Sequence, residues 1–227
     1  MYKFNVENVK KDVIKYIQDW FNQNGPTCNA IIGISGGKDS TVVAALCVEA
    51  LGKERVIGVM MPNGIQKDIS DSIRVCEFLG IKNYTINIED SVNGVLNQMK
   101  QSGIEITEQT RTNLPARIRM STLYAVSQSN NGRVANTCNL SEDIVGWFTV
   151  GGDGIGDFSP LGNLTTIEIV QLGDSLGVTY ADIHSYARID RQLPVKVYDT
   201  IKEKELKNAF KLKPMSRFIP KNTDLFE

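Results

Sequence analysis

The chain has 227 residues, of which 41% are hydrophobic and 22% charged, as in a globular protein rather than a disordered chain or a coiled coil. Its formal net charge of -1 gives no overall attraction to nucleic acid or to an anionic membrane, so we expect neither as a partner. The length suits one larger domain, which we expect to span residues 1–227.

Short apolar runs alternate with amphipathic stretches along most of the chain. The pattern predicts strands and helices in turn: helix 6–21, strand 29–34, helix 40–51, strand 56–61, helix 69–79, strand 83–88, helix 113–128 and strand 133–137. Gly52 and Gly80 are typical helix stops. Strands joined by crossover helices form parallel sheets covered on both faces. We therefore expect an α/β three-layer sandwich with a mostly parallel sheet, followed by a charged helix at 202–210 and an irregular tail.

The cysteines and the termini bear on the cell compartment. Cys28, Cys47, Cys76 and Cys138 are widely separated, and a single histidine, His184, is available to join them as a ligand. We expect buried thiols in a reducing compartment rather than a metal site or a disulfide framework, and we expect His184 to be structural or exposed. The first residues lack the features of a signal peptide and no apolar run could cross a bilayer, so we expect a cytoplasmic protein.

A glycine-rich turn follows the first predicted strand and leads into a helix. This strand-turn-helix arrangement places backbone N–H groups and the positive end of a helix dipole where a phosphate can bind. Gly36 and Gly37 allow close approach of the backbone, and the hydroxyls of Ser35 and Ser40 can donate to phosphate oxygens. Asp39 would repel a bare phosphate, so we expect Mg²⁺ between them. The alternative is a tight turn in which Asp39 and Ser40 only cap the helix.

The turn is not a Walker loop, because the GxxxxGK[ST] spacing is absent. It resembles the pyrophosphatase loop, or PP-loop, of enzymes that split ATP between its α and β phosphates. Three further stretches follow it in order, at 113–120 (NLPARIRM), 137–143 (TCNLSED) and 152–161 (GDGIGDFSPL). Together the four motifs resemble ammonia-dependent NAD synthetase over nearly the whole chain.

This resemblance implies an activity and a fold. The family amidates nicotinic acid adenine dinucleotide (deamido-NAD) to NAD with ATP and ammonia, through an acyl adenylate, and releases AMP and pyrophosphate. Mg²⁺ is the implied cofactor, and no protein nucleophile is needed. The implied fold is Rossmann-like, of the adenine nucleotide alpha hydrolase type. The implied assembly is a homodimer, and the apolar faces of the helices at 6–21 and 113–128 exceed what one side of a sheet needs.

The resemblance also implies roles for single residues. The expected ATP-binding residues come from the loop and from three later positions: Gly33, Ile34, Ser35, Gly36, Gly37, Lys38, Asp39, Ser40, Met61, Gln66 and Thr137. Asp39 and Glu142 are the expected Mg²⁺ ligands. The expected contacts to deamido-NAD are Arg117, Asp157 and Lys211, and the candidate catalytic residues are Lys38, Asp39 and Asp157.

Each of these roles has a simpler alternative in the sequence. Glu142 could be an acidic residue at a helix N-terminus, and Arg117 and Arg119 could be solvated helix residues, although neighbouring apolar residues suggest partial burial. Asp153 and Asp157 could be turn residues among glycines. At the level of the whole protein, the alternatives are a nucleotide-binding protein without catalysis and another PP-loop enzyme that adenylates a different acceptor.

The sequence departs from the family pattern at several positions. Val150 and Thr166 stand where many members have lysines, and Met60 stands where an arginine is often found. Lys38 within the loop is a candidate replacement for one of these charges. The family usually has a long lid loop after Gly177, whereas this sequence continues directly with Val178. Either the protein lacks the lid, or the sequence omits residues between Gly177 and Val178.

Overall fold

The computed structural model describes residues 4–66 and 69–178, and these contain a parallel sheet of four strands. The strands are β1 (Asn29–Gly33), β2 (Val56–Met60), β3 (Lys82–Thr85) and β4 (Gly132–Val134). They stand in the order β3-β2-β1-β4, with Ala30 of β1 paired to Val56 on one side and to Arg133 on the other. The predicted parallel sheet is confirmed.

Seven α-helices accompany the strands within the described residues: α1 (Val6–Asn24), α2 (Lys38–Leu51), α3 (Ile69–Leu79), α4 (Glu89–Gln101), α5 (Glu108–Ser129), α6 (Leu140–Val145) and α7 (Thr166–Ser175). A short 3-10 turn, Lys53–Arg55, links α2 to β2. No helix in this part of the chain combines the length and the apolar character that a bilayer crossing requires.

The sheet lies between two apolar clusters, because alternate residues of a strand face opposite sides. Ala30 and Ile32 of β1 belong to one cluster, which also contains buried residues of α1, α2, α3 and α7. Ile31 of the same strand belongs to the other cluster, with buried residues of α4 and α5. The fold is therefore the three-layer sandwich that the sequence predicts.

Some predicted boundaries differ from those observed. The predicted helix 113–128 begins earlier, at Glu108, where Thr107 caps it through a hydrogen bond from Thr110 N, and it continues through Pro115. The predicted strand 83–88 is too long: β3 ends at Thr85 and α4 begins at Glu89. Helices α4, α6 and α7 have no counterpart among the predicted elements.

The last predicted strand, 133–137, is also too long, because β4 ends at Val134. The chain beyond it still pairs: Ala135 forms an isolated parallel bridge with Phe158. The predicted helix 202–210 and the tail after it lie outside the described residues.

All four cysteines are buried free thiols, as predicted. Burial raises the pKa of Cys47 and Cys138 well above the usual thiol value. A thiol that stays protonated is a poor nucleophile, so these cysteines are core residues rather than reactive groups.

The strand order places a crevice at the carboxyl end of the sheet. The chain runs outward from β1 to β2 and β3, and then returns so that β4 lies on the opposite side of β1. In open parallel sheets, ligands bind outside the carboxyl ends of the strands at such a reversal. Residues that follow β1 and β4 are therefore expected to form the site.

Candidate active site

The glycine-rich loop lies at this reversal, between β1 and α2. Gly37 is the N-cap residue of α2, and no side chain caps the helix there. Gly36 has a positive φ of 82° and packs against the first turn of α3, because a Cβ atom added to it would lie 3.0 Å from Ser72 N. The first turn of α2, with its backbone N–H groups and positive dipole end, is thus available for an anion.

The hydroxyl groups of the loop hydrogen-bond to one another. Ser35 Oγ lies 3.1 Å from Ser40 Oγ and accepts a hydrogen bond from Gly37 N at 3.2 Å. Ser40 Oγ donates to Gly37 O at 3.2 Å, and Thr41 Oγ1 donates to the same carbonyl at 2.8 Å. Ser40 is almost completely buried. These bonds hold the loop in shape, and the predicted donation from Ser40 to a phosphate would require its hydroxyl to change partner.

A cavity of about 480 Å³ opens beside the loop. It is lined mainly by apolar and small residues from the ends of β1, β2 and β4, from α5 and from the loop after α6: Gly33, Ile34, Ser35, Met61, Gln66, Ala116, Arg119, Met120, Leu123, Ala135, Thr137, Thr149, Asp153 and Ile155. Six of the predicted ATP-binding positions are among them. The volume and the mostly apolar wall suit a nucleotide base with its sugar.

Two charged residues, Arg119 and Asp153, line this cavity. Arg119 donates from Nε to Met61 O at 3.0 Å, which holds its guanidinium at the end of β2. Burial lowers the pKa of Arg119, and the charge of Asp153 opposes this effect. Asp153 itself accepts a hydrogen bond from Thr149 N at 2.9 Å. The alternative that Arg119 is a solvated helix residue is therefore wrong.

A cluster of carboxylates lies next to the loop. Lys38 Nζ lies 2.8 Å from Asp39 Oδ2, and these side chains are only 9% and 21% exposed. Asn139 donates from Nδ2 to Asp39 Oδ1 at 3.2 Å. The same asparagine forms a capping box with Glu142 at the start of α6, in which each residue's side chain accepts from the other's backbone N–H. Asn139 thus connects the two predicted Mg²⁺ ligands.

The electrostatics of Glu142 indicate an excess of negative charge. Burial raises the pKa of Glu142 to about 7, and the charge of Asp39 adds to this rise. The hydrogen bond from the backbone of Asn139 and the charge of Lys38 act in the opposite direction but do not cancel it. A cation close to Asp39 and Glu142 would relieve this repulsion. The capping role also holds, so Glu142 does lie at a helix N-terminus, as the simpler alternative proposed.

A second group of predicted residues lies on the outer side of α5. Arg117 is exposed and donates from Nε to Val150 O at 3.0 Å. Asp157 accepts from Val134 N at 2.7 Å and from the hydroxyl of Tyr124 at 3.4 Å. Burial raises the pKa of Tyr124, and the neighbouring charge of Asp157 adds to the rise. Both side chains therefore attach the 146–158 segment to the rest of the fold while remaining accessible from solvent.

The structure brings together most of the residues that the motifs suggested. Those from the loop, with Met61, Gln66, Thr137 and Glu142, converge at the ends of β1, β2 and β4. Lys211 and His184 lie outside the described residues. The sequence reasoning assigned no role to Asn139, Met120 or Leu123. For Asn139 a signal was present, since Asn-x-x-Glu before a helix is a capping pattern.

Comparison with known proteins identifies the family. A family model described as NAD synthase matches residues 9–184. The chain belongs to the NAD synthase family. Among curated members, the NH(3)-dependent NAD(+) synthetase of Archaeoglobus fulgidus is 42% identical over 177 residues, which cover 77% of this chain and 70% of that protein. The Thermococcus sibiricus enzyme of the same name is 39% identical over 73% of this chain, and the match spans 64% of its length.

Solved structures of NAD synthase relatives share the fold. An NH3-dependent NAD synthetase from Campylobacter jejuni, in complex with nitrate, superposes with a TM-score of 0.82 at 29% identity, covering 96% of this chain and 100% of that one. An NMN synthetase from Francisella tularensis superposes with a TM-score of 0.79 at 27% identity, covering 97% and 100%. The predicted family and fold class are therefore confirmed.

The residues of this NAD synthase chain that differ from the family pattern lie in different environments. Met60 is buried in β2, so a longer charged side chain there would need a different environment. Val150 is half exposed in the loop that Arg117 holds, and Thr166 is the first residue of α7. Gly177 and Val178 complete a Schellman motif after α7, with Gly177 N bonded to Asp174 O and Val178 N to Gly173 O. The two alternatives for the lid concern the chain after this motif, and the residues from 179 on lie outside the described ones.

Proposed function

We propose that this chain is an ammonia-dependent NAD synthetase that converts deamido-NAD, ATP and ammonia to NAD, AMP and pyrophosphate. The family assignment supports the reaction class, and the names of the relatives support the nitrogen donor. The observation that carries the proposal is the convergence of three features at one end of the sheet. These are a glycine-rich helix N-terminus, a cavity of nucleotide size and a cluster of carboxylates.

In the first step, a carboxylate oxygen of the nicotinate group attacks the α-phosphorus of ATP. A new P–O bond forms, and the bond to the β-phosphate oxygen breaks to release pyrophosphate. The protein has to hold two anions together and stabilise the charge that develops on the phosphate. We assign the phosphates to the first turn of α2 and Lys38, and the adenosine to Thr137 and the apolar wall of the cavity, because these features adjoin one another.

The donors near the loop fit Mg²⁺. Among the described residues there is no group of three or more acidic, histidine or cysteine side chains that could hold a metal alone. Mg²⁺ does not need such a group, because it is usually held by one or two carboxylates together with phosphate oxygens and water. Asp39 and Glu142 would hold it, and their mutual repulsion is relieved by a cation. When bound, the ion neutralises charge on the polyphosphate.

In the second step, ammonia attacks the carbonyl carbon of the acyl adenylate and AMP leaves. We assign binding of the dinucleotide to the exposed side chains of Arg117, which belongs to α5, and Asp157, which contacts α5 through Tyr124. Lys211 lies outside the described residues, and its role stays a prediction. No cysteine is required for this chemistry, which agrees with the four buried thiols.

The test is to incubate the purified protein with ATP, Mg²⁺, ammonium and deamido-NAD, and to measure NAD and pyrophosphate. We expect NAD to appear only when all substrates are present, whereas pyrophosphate requires ATP and deamido-NAD and is released over many turnovers only with ammonium. Deamido-NAD labelled with heavy oxygen in its carboxylate should transfer one labelled oxygen to AMP. ATP binding without any pyrophosphate release would favour a non-catalytic nucleotide-binding protein instead.

The acceptor needs its own control, because one structural relative is named an NMN synthetase. Nicotinic acid mononucleotide should therefore replace deamido-NAD in a parallel reaction. We expect the dinucleotide to give the higher kcat/KM, since the curated relatives carry the NAD synthetase name. A higher kcat/KM for the mononucleotide would move the chain to the other activity within the same reaction class.

We also infer a homodimer with one domain per chain. Exposed apolar side chains around α6 and the loop after it support an interface near the acceptor side; among them Ile144 is 46%, Val150 50% and Ile155 42% exposed. Light scattering that gave a monomer at micromolar concentration would contradict the dimer. The four free cysteines are consistent with a reducing compartment, which supports the predicted cytoplasmic location.

A further inference from the structure

We propose that Asn139 is a positioning residue that fixes the spacing between Asp39 and Glu142 and thereby sets the affinity of the site for the metal–ATP complex. The inference rests on the proposed function of this site. It concerns a side chain that is not among the residues lining the cavity, but that hydrogen-bonds to both predicted Mg²⁺ ligands.

The first observation is that Asn139 is completely buried and uses both ends of its amide. Its relative exposure is 0%. Its Oδ1 accepts from Glu142 N at 3.1 Å, so the opposite end of the amide must be the nitrogen. That nitrogen donates to Asp39 Oδ1 at 3.2 Å, across a separation of 100 positions in the chain.

The second observation is that Asn139 also controls the orientation of the Glu142 carboxylate. The backbone N–H of Asn139 donates to Glu142 Oε2 at 3.1 Å. Asn139 thus hydrogen-bonds to one carboxylate oxygen of Asp39 and to one of Glu142. The second oxygen of Glu142, Oε1, is left for a metal, whereas the second oxygen of Asp39, Oδ2, also contacts Lys38. Residues that orient metal ligands in this way influence metal affinity nearly as much as the ligands themselves.

Asparagine is suited to this place because it alone among the good N-cap residues combines a capping oxygen with a side-chain N–H donor. Serine, threonine and aspartate cap a helix comparably well, but none offers an amide donor toward Asp39. An aspartate would place a third carboxylate beside Asp39 and Glu142. A purely structural capping role therefore predicts that serine is tolerated, whereas the positioning role predicts that it is not.

The experiment compares Asn139→Ser with a matched variant of the second capping box. Thr165 caps α7 with Glu168 in the same way, and Thr165→Ala removes that cap without a contact to Asp39. For each purified protein, the binding of Mn²⁺ is measured by electron paramagnetic resonance in the presence of α,β-methylene-ATP. This analogue is not cleaved between its α and β phosphates, so no turnover is needed.

We expect Asn139→Ser to weaken Mn²⁺ binding by about 10-fold or more, and Thr165→Ala to bind Mn²⁺ like the wild type although its thermal stability is lower. Binding of Mn²⁺ to Asn139→Ser within twofold of the wild type would overturn the proposal. An equal loss of Mn²⁺ binding in Thr165→Ala would overturn it as well, because capping alone would then explain the effect.

Two further measurements keep the test decisive. If Asn139→Ser does not fold, Asn139→Thr fills more of the buried space, keeps a capping hydroxyl and still lacks the amide donor. In nitrogen-labelled wild-type protein, the side-chain amide resonance of Asn139 should move when Mg²⁺ and α,β-methylene-ATP are added, and an unchanged resonance would contradict the proposal. None of these assays needs deamido-NAD, so loss of the metal effect is distinct from failure of the amidation reaction.

Discussion

Replacement of Gly36 by alanine tests whether the loop geometry is required for nucleotide chemistry. Gly36 and Gly52 flank α2, and both have a φ of 82°. An added Cβ at Gly36 would lie 3.0 Å from Asp71 Cβ and 3.0 Å from Ser72 N, in the first turn of α3. At Gly52 the added carbon would have no described atom within 4 Å outside the neighbouring residues of the chain. The two positions therefore share a positive φ but differ in steric contact.

The magnitudes separate the two effects. A residue with a side chain pays about 1–3 kcal/mol for such a positive φ, and the stiffer unfolded chain returns about 0.4–1 kcal/mol. Gly52→Ala should therefore lower the free energy of unfolding by about 1–2 kcal/mol. At Gly36 the contact with α3 adds a packing cost of about 1–3 kcal/mol, because Ser72 N belongs to the backbone and cannot rotate away. Gly36→Ala should thus lose about 2–5 kcal/mol in total.

Urea unfolding followed by circular dichroism measures the loss of stability, and pyrophosphate release measures activity. The loop must move away from α3 in Gly36→Ala, so we expect pyrophosphate release to fall by roughly 10-fold or more, since small displacements of reacting groups are costly. Gly52→Ala should keep wild-type turnover in folded protein. The reasoning is refuted if both variants lose the same stability and Gly36→Ala still releases pyrophosphate within twofold of the wild-type rate.

The carboxylates and the cavity arginine give the remaining predictions. Asp39→Ala and Glu142→Ala should each reduce pyrophosphate release by roughly 100-fold or more. Asp143→Ala, which changes the next residue of α6, should not reduce it. Near wild-type turnover of Asp39→Ala and Glu142→Ala with Mg²⁺ would show that Asp39 and Glu142 are not metal ligands. Without metal, the wild type should lose about 1–2 kcal/mol of unfolding free energy relative to Glu142→Gln as the pH rises from 4.5 to 7, because the folded state holds the proton of Glu142 more tightly than the unfolded chain does. This loss is about half the full linkage value, since the Glu142 side chain is partly solvated. Urea midpoints of the two proteins that changed in parallel with pH would contradict the prediction. Arg119→Met should raise the KM for ATP by about 10-fold or more. Arg111→Met, on the exposed part of the same helix, should leave the KM unchanged. Equal KM values for Arg119→Met and the wild type would show that Arg119 does not contact the nucleotide.

The layers of the fold could be predicted because strands and helices differ in their apolar period. The four strands and the helices α1, α2 and α3 follow clear patterns in the sequence. Helix α4 was missed because its buried face consists of only two residues, Val92 and Leu96, and Gly94 lies between them. Helix α5 begins five residues before the predicted start, at Glu108, and it continues through Pro115.

The site could be predicted only in part, because motifs report residue types and not the contacts between distant segments. The loop follows from its own pattern and the Thr137 segment from the family resemblance, and the structure places both at the cavity or beside it. The bond between Asn139 and Asp39 joins residues 100 positions apart and has no local signal. The partial burial of Arg119 does have a local signal in its apolar neighbours, but its hydrogen bond to Met61 O does not. Helix α7 does have a local signal, because Thr165 and Glu168 form the Thr-x-x-Glu pattern of a capping box.

The position of β4 in the sheet has a consequence for how the protein folds. Pairing of β1 with β2 joins segments that are about 26 residues apart, whereas pairing of β1 with β4 closes a loop of about a hundred residues and is entropically more costly. Contacts of such high sequence separation form slowly, so we expect the β1–β2–β3 half to assemble first and β4 to dock late. The nucleotide cavity has walls from both halves. A chain still emerging during synthesis would therefore contain the complete glycine-rich loop before it could retain ATP. Bound nucleotide would then stabilise only those chains in which β4 has docked.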